Sequence, residues 1–424
     1  MNSNDFSKLA NVRSLLIKAA FIVAIVILLA QVFSLVARVH EGQTDFSVFH
    51  RAAVQLAAGA GGELYAKTDE PTGWYNCIPP LGMALFYPLA GLEPPTAAAI
   101  WGVFNVLLLL SAVYFLYRVG TRIESSAGSA AISLSAVILL LLGGACVQVG
   151  QTSIVFAVCW MGFLWAISAG RPWLAGLAAA MPVGIKLYPI AFLAAPFQLG
   201  RRRAVLTALL WIVVLLILVP LLAFGPRFWD LSISFVHYAI LGPGGRLATS
   251  ADPTALSNQS IDALLLRYFT FHEGFHSQAP WLPHLGLPAA PVLVAANAIR
   301  LAVLAATAIA CRGVSRSVAD RPVYAAAVVV GAWCAALYLI LPGAKARYAV
   351  QAFPAFLPLC LSVFEALDNG DNKRGTALFA SLAVCLLLLL QVMPLQFSAT
   401  TLSIAAPIFL WWFCIRRAAE LTSP

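Results

Sequence analysis

Long runs of apolar residues, separated by short polar or basic segments, repeat along the whole chain. Runs of about 18 residues or more can cross a bilayer as helices. Ten such runs are clear, and they lie at 15–37, 96–117, 128–147, 152–169, 203–224, 290–311, 322–342, 349–366, 375–392 and 399–415. The pattern therefore predicts an all-α polytopic membrane protein.

The stretch 172–200 is also apolar, but prolines and Lys186 interrupt it. Arg171 precedes it and the cluster Arg201–Arg203 follows it, so both ends carry the positive charge that marks the cytoplasmic side of a membrane. Two short or broken helices with Lys186 near the outer tip satisfy this pattern better than one span. The predicted total is then about 12 transmembrane helices.

The composition supports the same class of protein. Hydrophobic residues make up 61% of the chain and charged residues 10%, against roughly 45–50% and about 25% in soluble domains. A water-soluble fold this apolar would lack the polar groups to cover its surface, which excludes soluble enzymes and disordered proteins. We expect a single integral membrane domain over residues 1–424. The eight cysteines form no CxxC pair and lie mostly in apolar runs, so we interpret them as core residues.

The net charge of +9 indicates topology rather than nucleic-acid binding. Lysine and arginine accumulate in cytoplasmic loops, and placing the N-terminus inside puts most of the 26 basic residues there. Both termini are then cytoplasmic, and no continuous basic face remains for a nucleic acid. The predicted cytoplasmic set comprises Lys8, Arg13, Lys18, Arg118, Arg122, Arg171, Arg201, Arg202, Arg203, Arg312, Arg316, Arg321, Lys373, Arg374, Arg416 and Arg417.

Two long segments remain on the outer side. The first, residues 38–95, contains an amphipathic helix predicted at 46–58 and a short apolar piece at 79–92 with a proline pair at or just beyond each end. That piece is too short to cross comfortably, so we expect it to lie in the outer membrane interface. The second, residues 225–289, is rich in glycine, proline, histidine and aromatic residues. Most of the polar chemistry is therefore predicted on the outer face.

Asp45 is the strongest candidate for catalytic chemistry. It lies shortly after the first apolar run and directly before the amphipathic helix. A carboxylate at the membrane surface, partly shielded by aromatic neighbours, suits a general base. The alternative is a helix N-cap, because Asp45 or Thr44 would satisfy the first free N–H groups of the helix. The spacing leaves both interpretations open.

Two amide-bearing motifs are candidates for binding hydroxyl groups. Gln151 lies between two apolar runs, where it either binds sugar hydroxyls or caps a helix, and local physics favours the cap. Asn258 and Gln259 precede Arg267, a combination that suits hydroxyl and phosphate recognition. A cap and a surface salt bridge are the alternative for that segment.

Several cations occupy positions where positive charge is costly or unusual. Lys186 interrupts the apolar hairpin, where it either holds a lipid phosphate as a point charge or reaches the interface as an anchor. Lys345, Arg347 and Tyr348 lie at the outer end of a late span, against the usual charge bias. An anion such as a lipid phosphate or pyrophosphate would account for them, and interface anchoring is the alternative.

The chain lacks the motifs of a metal or nucleotide cofactor. His237, His272, His276 and His284 have no metal-binding spacing, so we interpret them as solvated loop residues. A glycine-rich phosphate loop is also missing from the sequence, which argues against direct use of ATP. We expect no metal and no other cofactor.

Taken in order, the short motifs of the chain resemble one family. They are Thr44-Asp45-Phe46, Ala52-Ala53, Gly61-Gly62-Glu63-Leu64-Tyr65, Pro79-Pro80-Leu81, Tyr87-Pro88-Leu89, Gly150-Gln151, Gly176 with Lys186-Leu187-Tyr188-Pro189, and Asn258-Gln259-Ser260. Each motif is common, but their order and spacing over roughly residues 40–270 resemble the family 87 glycosyltransferases. These are polytopic enzymes of the C-type glycosyltransferase superfamily, and they include mycobacterial phosphatidylinositol-mannoside mannosyltransferases.

The resemblance implies a C-type glycosyltransferase fold and an inverting hexosyltransferase or related enzyme in a bacterial cytoplasmic membrane. A sugar, either mannose or another hexose or pentose, would pass from a polyprenyl-phosphate donor to a lipid-linked or cell-envelope glycan acceptor on the outer face. Asp45 matches the family's catalytic aspartate, the general base. We infer that the donor phosphate and substrates contact a set comprising Lys186, Arg267, Lys345, Arg347, Tyr348, Gln151, Asn258 and Gln259.

One departure and two rival functions accompany this prediction. Family members often carry a histidine in the loop matching 341–349, where this chain has Lys345-Ala346-Arg347-Tyr348. That difference suggests a subgroup with another sugar or acceptor. The main rival is a secondary transporter or lipid flippase, although no internal repeat is evident. The second is an envelope polysaccharide polymerase or ligase, which the early aspartate and Pro79-Pro80 disfavour.

Overall fold

The structure, a computed structural model, describes residues 3–42, 44–66, 69, 76–123, 128–241, 258–277, 279–314, 321–341, 344–390 and 402–422. These residues form helices and connecting loops, and none of them is in a strand. Within these described ranges, eight helices are long and apolar enough to cross a membrane. The structure therefore confirms an all-α polytopic membrane protein, and the total of about 12 spans stays a prediction.

The first half of the chain contains α1 (Ser3–Val39), α2 (Asp45–Ala57), α3 (Glu63–Ala66), α4 (Pro80–Phe86), α5 (Pro94–Gly120), α6 (Gly128–Val149), α7 (Ile154–Ser168), α8 (Pro172–Ile185), α9 (Ala194–Gln198) and α10 (Arg202–Val213). The second half contains α11 (Val219–Phe224), α12 (Arg227–Ser234), α13 (Ile261–Phe269), α14 (Glu273–His276), α15 (Ala289–Ala310), α16 (Pro322–Ile340), α17 (Phe356–Asp368), α18 (Asn372–Leu389) and α19 (Ala405–Thr422).

Shorter turns of other helix types complete the architecture. The 3₁₀ segments are Tyr87–Leu89, Tyr188–Leu193, Ala346–Ala355 and Leu402–Ile404. Two π-helical segments, Val214–Leu218 and Phe235–Ile240, continue α10 and α12. The predicted amphipathic helix is α2, and the predicted interfacial piece at 79–92 is α4 with its 3₁₀ turn.

The last helix lies further along the chain than the apolar run predicts. The run ends at 415, whereas α19 spans Ala405–Thr422. Arg416 and Arg417 both form ion pairs with Glu420 at helical spacing, with nitrogen–oxygen distances of 3.2 and 2.7 Å. Such pairs stabilise the exposed end of a helix. Polar side-chain pairing therefore extends α19 beyond the apolar residues.

The stretch 172–200 folds back on itself, as predicted. α8 is followed by a 3₁₀ turn and the short α9, and Lys186 lies between α8 and that turn. The residues before and after the stretch line one cavity, so its two ends lie together. The structure therefore shows one 14-residue helix and a short irregular return, rather than two regular helices.

The bundle has a buried centre and an apolar exterior. α6, α16 and the segment Arg347–Asp368 are buried along most of their length. The outer helices instead expose large apolar side chains, such as Phe33, Leu222 and Ile309, each about three quarters exposed. Lipid tails cover such side chains at little cost, and water would not.

The bundle has two ends that matter for function. We call the end that carries Thr44, residues 150–153 and residues 344–345 the Asp45 end. α7 begins just after residues 150–153 and ends at residue 168, so the turn 169–171 lies at the opposite end of the bundle. The turn 199–201 lines the same cavity as the turn 169–171 and therefore lies at that end too. A 15-residue helix spans about 22 Å. The charged residues at the Asp45 end and the arginines of the turns 169–171 and 199–201 are therefore separated by about the length of α7, which exceeds one membrane leaflet.

Candidate active site

Asp45 is the first residue of α2, yet it does not cap that helix. The N-cap is Thr44, whose side-chain oxygen accepts a hydrogen bond from the Ser47 backbone N–H at 3.1 Å. Because Thr44 satisfies the helix end, the Asp45 carboxylate is available for other contacts. The N-cap interpretation is therefore correct for Thr44 and wrong for Asp45.

The Asp45 carboxylate is held through one of its two oxygens. Gln151 Nε2 donates to Asp45 Oδ2 at 2.9 Å, and Arg347 Nε lies 3.2 Å from the same oxygen. The second oxygen, Oδ1, has no protein partner within the described ranges. The side chain keeps only 9% of its surface exposed. This geometry leaves one carboxylate oxygen to receive a proton from a bound molecule.

Local hydrogen bonds orient the Gln151 amide. Its Oε1 accepts from the backbone N–H of Thr152 at 2.9 Å and from the Thr152 hydroxyl at 3.1 Å. The amide nitrogen must then point away from these donors, towards Asp45. Ser153 is the N-cap of α7 and makes no side-chain cap. The cap that local physics favoured is therefore absent, and Gln151 instead supports the carboxylate.

A glycine allows α2 to approach the turn between α6 and α7. Gly150 has φ of +68°, a left-handed conformation that side chains with Cβ rarely adopt. A Cβ at Gly150 would overlap the Phe46 side chain. Trp101 Nε1 donates to the Gly150 carbonyl at 2.9 Å. The close approach brings Gln151 next to Asp45, although 106 residues separate them.

Lys186 contributes the first cation of the site. Its Nζ lies 4.5 Å from the centroid of the Tyr348 ring, and no acidic side chain forms an ion pair with it in the described part of the chain. Burial lowers the pKa of Lys186 to about 8, and the nearby Asp45 carboxylate opposes that shift. The ammonium group is therefore poised to accept an anion.

The second cation comes from the 3₁₀ segment after α16. The Arg347 guanidinium lies 5.5 Å from the centroid of the Tyr348 ring and extends to Asp45. The Cys146 thiol contacts the Arg347 carbonyl, which ties the segment to α6. Asp45, Lys186 and Arg347 thus lie around Tyr348, and with Gln151 they form a site built from four regions distant in sequence.

A hydrogen-bonded chain that the motifs did not indicate connects these regions. Gln351 Nε2 donates to Ser153 Oγ at 2.8 Å, and its Oε1 accepts from the Tyr188 hydroxyl. Gln351 is 2% exposed and is the one amide in the apolar run 349–366. A polar residue within an apolar run is costly, and that signal could have revealed Gln351 from the sequence.

Lys345, Asn258 and Gln259 lie beside the site through backbone contacts. The Lys345 carbonyl accepts from the Tyr338 hydroxyl at 3.1 Å, and the Gln259 N–H donates to the Ala344 carbonyl at 2.6 Å. Asn258 Oδ1 accepts from the Ser260 N–H at 3.1 Å. Ser260 then caps α13. The capping alternative is confirmed for this segment, and the same turn joins the second outer segment to the residue 344 loop.

Arg267 packs against an aromatic ring of α14. Its side chain is fully buried, and the guanidinium lies 4.9 Å from the centroid of the Phe275 ring. The predicted surface salt bridge at this segment is instead a buried pair between Asp262 and Arg300.

The histidines of the second outer segment are only partly as predicted. His276 is 6% exposed, and its ring lies 4.5 Å from that of His284. Its Nδ1 and Nε2 contact the His272 carbonyl and the Arg267 carbonyl at 2.9 and 3.2 Å. His276 is therefore a buried structural residue rather than a solvated one, because both of its ring nitrogens contact backbone groups. Within the described ranges no three metal-ligating side chains form a group.

Comparison with known proteins yields one match. The model of glycosyltransferase family 87 matches residues 78–319, more than half of the chain. That range includes Gln151, Lys186 and the segment 258–267, and it ends before Arg347. No curated protein and no solved structure matches the chain.

Proposed function

The chain belongs to glycosyltransferase family 87, and we propose from this that it transfers a sugar from a polyprenyl-phosphate donor. The acceptor is a hydroxyl group of a lipid-linked or cell-envelope glycan. The transferred sugar is a hexose such as mannose, or a pentose. No nucleotide takes part in the reaction.

The half-anchored Asp45 carboxylate carries this proposal. Gln151 and Arg347 hold Oδ2, which leaves Oδ1 without a protein partner within the structure as described. A general base needs a fixed position and one open lone pair within hydrogen-bond reach of the proton it takes. A purely structural aspartate would be expected to use both oxygens.

In the proposed reaction the acceptor oxygen attacks C1 of the donor sugar from the face opposite the phosphate. The bond between C1 and the phosphate oxygen breaks, and its electron pair leaves with polyprenyl phosphate. Asp45 Oδ1 takes the proton of the attacking hydroxyl as the new glycosidic bond forms. The configuration at C1 is inverted. General-base assistance of this kind contributes about 10²–10⁴-fold to the rate.

Lys186 and Arg347 are the proposed partners of the donor phosphate. Negative charge develops on the leaving phosphate oxygen, and preorganised cations stabilise it most where water is excluded. Lys186 forms no ion pair with a described residue, and Arg347 already lies beside the carboxylate. A phosphate between these two cations would place C1 near Asp45. The Tyr348 ring contacts both the Lys186 and the Arg347 side chains.

The outer face is the proposed location of the reaction. The arginine-bearing turns 169–171 and 199–201 lie at the end opposite the Asp45 site. Positively charged turns favour the cytoplasmic side, so the Asp45 end faces outward. Both ends of the chain are cytoplasmic in this arrangement, and the surrounding bilayer is the cytoplasmic membrane.

Transfer assays with purified full-length protein test the function. A panel of labelled polyprenyl-phosphate sugars would be incubated with total membrane lipid and either wild-type protein or Asp45→Asn. We expect one sugar to be transferred by the wild type and not by the variant. Movement of a lipid or solute across liposomes without a covalent product would instead favour a transporter. Transfer from diphosphate-linked oligosaccharides alone would favour a polymerase or ligase.

A further inference from the structure

A cavity of about 350 Å³ lies at the end opposite Asp45. Cavities that hold small molecules start at roughly this size. A smaller cavity of about 150 Å³ adjoins it and shares Ile167 and Arg201. The larger cavity is lined by the two segments 170–172 and 200–204 together with Ile167. We call it the arginine pocket.

Two helical corners of the same design form the arginine pocket. In the first, Gly170 at φ of +66° ends α7, and the Arg171 N–H donates to the Ala166 carbonyl at 2.8 Å. In the second, Gly200 at φ of +69° ends α9, and the Arg201 N–H donates to the Pro196 carbonyl at 2.8 Å. Each corner places an arginine directly before the next helix.

Both helices that leave these corners begin at the pocket without a capping side chain. Arg171 is the N-cap of α8 and Arg201 is the N-cap of α10, and neither makes a side-chain cap. Helix N-termini carry partial positive charge, and their free N–H groups bind anions. The helix N-termini and the arginines thus both attract an anion into the pocket.

No acidic side chain in the described part of the chain neutralises the four arginines of the pocket. Other arginines are paired at this end of the bundle. Arg321 lies 3.1 Å from Glu365, and Arg416 and Arg417 pair with Glu420. Positive charge in the pocket is therefore concentrated and lacks a protein counter-ion.

An exposed apolar surface begins directly beside the arginine pocket. Trp173 follows Pro172 in α8, is 48% exposed and packs on Trp211 with ring centroids 5.0 Å apart. Leu206 and Leu210, on the adjacent face of α10, are 67% and 50% exposed. A ligand in the pocket would thus have charge around its head and apolar residues along its tails. A free phosphate ion would use only the first of these features.

We propose that the arginine pocket binds the phosphate headgroup of an anionic phospholipid, whose acyl chains lie along Trp173, Leu206 and Leu210. Tight packing keeps α8 and α10 at the separation that forms this site. A Cβ at Gly176 would overlap Thr207 Oγ1, and Thr207 Oγ1 donates to the Pro172 carbonyl at 2.8 Å. The site is independent of the Asp45 chemistry, so either proposal can fail alone.

Lipid retention by the purified full-length protein tests the site. Native mass spectrometry would count the bound molecules of cardiolipin, phosphatidylglycerol or phosphatidylcholine per chain, and a parallel titration would use inorganic phosphate. We compare the double variant Arg171→Gln/Arg202→Gln with wild type. Each arginine near an anionic lipid contributes about fivefold to binding, so we expect a loss on the order of tenfold or more.

The matched control is Lys373→Gln/Arg374→Gln, which removes two positive charges from a third corner of the same design. There Gly370 has φ of +76°, but Asp371 caps the following helix by accepting from the Arg374 N–H at 3.1 Å. We expect this control to retain anionic lipid within about twofold of wild type. Equal loss in both variants would show bulk surface attraction and overturn the proposal.

The panel also distinguishes the sources of phosphate. Preference for an anionic lipid over phosphatidylcholine, lost in the pocket variant, supports the proposal. The proposal is overturned if inorganic phosphate binds as well as the anionic lipid. It is also overturned if phosphatidylcholine is retained as well as the anionic lipid. Thermal unfolding of the pocket variant at the wild-type temperature in lipid-free detergent would exclude misfolding as the cause of a loss.

Discussion

The Asp45 site and the arginine pocket are built on the same backbone corner with different side chains. In both, a helix ends at a glycine with positive φ, and the next residue donates its N–H five residues back. That next residue is Gln151 at one end and Arg171 or Arg201 at the other. Gln151 turns inward to a buried carboxylate, whereas the arginines remain exposed around a cavity.

The difference shows how burial controls what a charge can do. Charges at the Asp45 end are buried, so Asp45 pairs with Arg347, Lys186 packs on the Tyr348 ring, and the three side chains are held in fixed relative positions. Charges in the arginine pocket remain hydrated and need no protein partner. The first arrangement suits directed proton transfer, and the second suits attraction of an anion from outside. The following predictions test this contrast.

The largest effect is expected from Asp45→Asn. Asparagine keeps the shape and the contacts to Oδ2 but cannot take a proton, so turnover should fall by about 10²–10⁴-fold. Donor binding should not weaken, since Arg347 loses a competing carboxylate. Single-turnover transfer and donor titration measure the two quantities. Asp371→Asn is the control, because asparagine also caps α18. Retained turnover in Asp45→Asn would remove this residue from the mechanism.

Lys186→Gln should weaken donor affinity by about 10–100-fold, because a charge-assisted contact to phosphate contributes roughly 1.5–3 kcal/mol. The acceptor dependence should not change. Donor titration against wild type measures the loss, and Lys373→Gln, an exposed lysine of α18, serves as the control. Unchanged donor affinity in Lys186→Gln would make this lysine an interface anchor only.

Raising the pH should weaken donor capture through the same lysine. The pKa of Lys186 is lowered to about 8 by burial, so the ammonium is present below pH 8 and lost above it. Asp45, Cys146, Arg347 and Cys77 are charged or titratable groups around it, and the Tyr348 ring contacts it directly. From the titration curve, kcat/KM for the donor should fall about tenfold between pH 7 and pH 9. If kcat/KM of the Lys186→Gln variant fell with pH by the same factor, the titrating group would be a residue other than Lys186.

Gln151→Met should lower kcat about tenfold and leave donor affinity unchanged, because it removes a hydrogen bond that orients the Asp45 carboxylate, and a hydrogen bond to a charged group contributes roughly 1.5 kcal/mol or more. A role in sugar binding would instead raise KM. Gln148→Met is the control, since Gln148 lies at the end of α6 near Gln151 and, among the described residues, its amide forms one hydrogen bond, to Ser34 Oγ at 3.4 Å. Steady-state kinetics with both substrates separate the two roles.

Changing the salt concentration should have the smallest effect of these tests. It should affect lipid binding in the arginine pocket more than donor binding at the Asp45 site. Raising NaCl from about 50 to about 500 mM screens exposed charges and leaves buried ones less affected. Anionic-lipid retention should then fall several-fold, while donor affinity changes by less than about twofold. The same titrations used above provide both numbers. Equal salt dependence at the two sites would contradict the contrast between buried and exposed charge.

The sequence predicted much of the Asp45 site as a set of residues. Asp45, Gln151, Lys186, Arg347 and Tyr348 all lie together in the structure. Each stands out because a polar group in or beside an apolar run is costly without a reason. The likeness to mycobacterial mannosyltransferases stays a prediction, as do the donor and the acceptor.

The same reasoning does not reach contacts that join distant parts of the chain. Arg267 has the residue type expected for phosphate and its guanidinium packs on the Phe275 ring, so its role in binding the donor stays a prediction. Gln351 was missed although it connects Ser153 and Tyr188. Neither outcome follows from spacing, because several helices must pack before these side chains have neighbours.

Apolar runs and charged loops suffice to specify an all-helical membrane chain, because each helix satisfies its own backbone and each apolar face requires lipid or protein cover. Family membership also follows from short motifs in order. Packing alone decides which oxygen of Asp45 is anchored and that two arginine corners share one cavity. Such features depend on angles and distances between helices, and a linear pattern of residue types does not contain them.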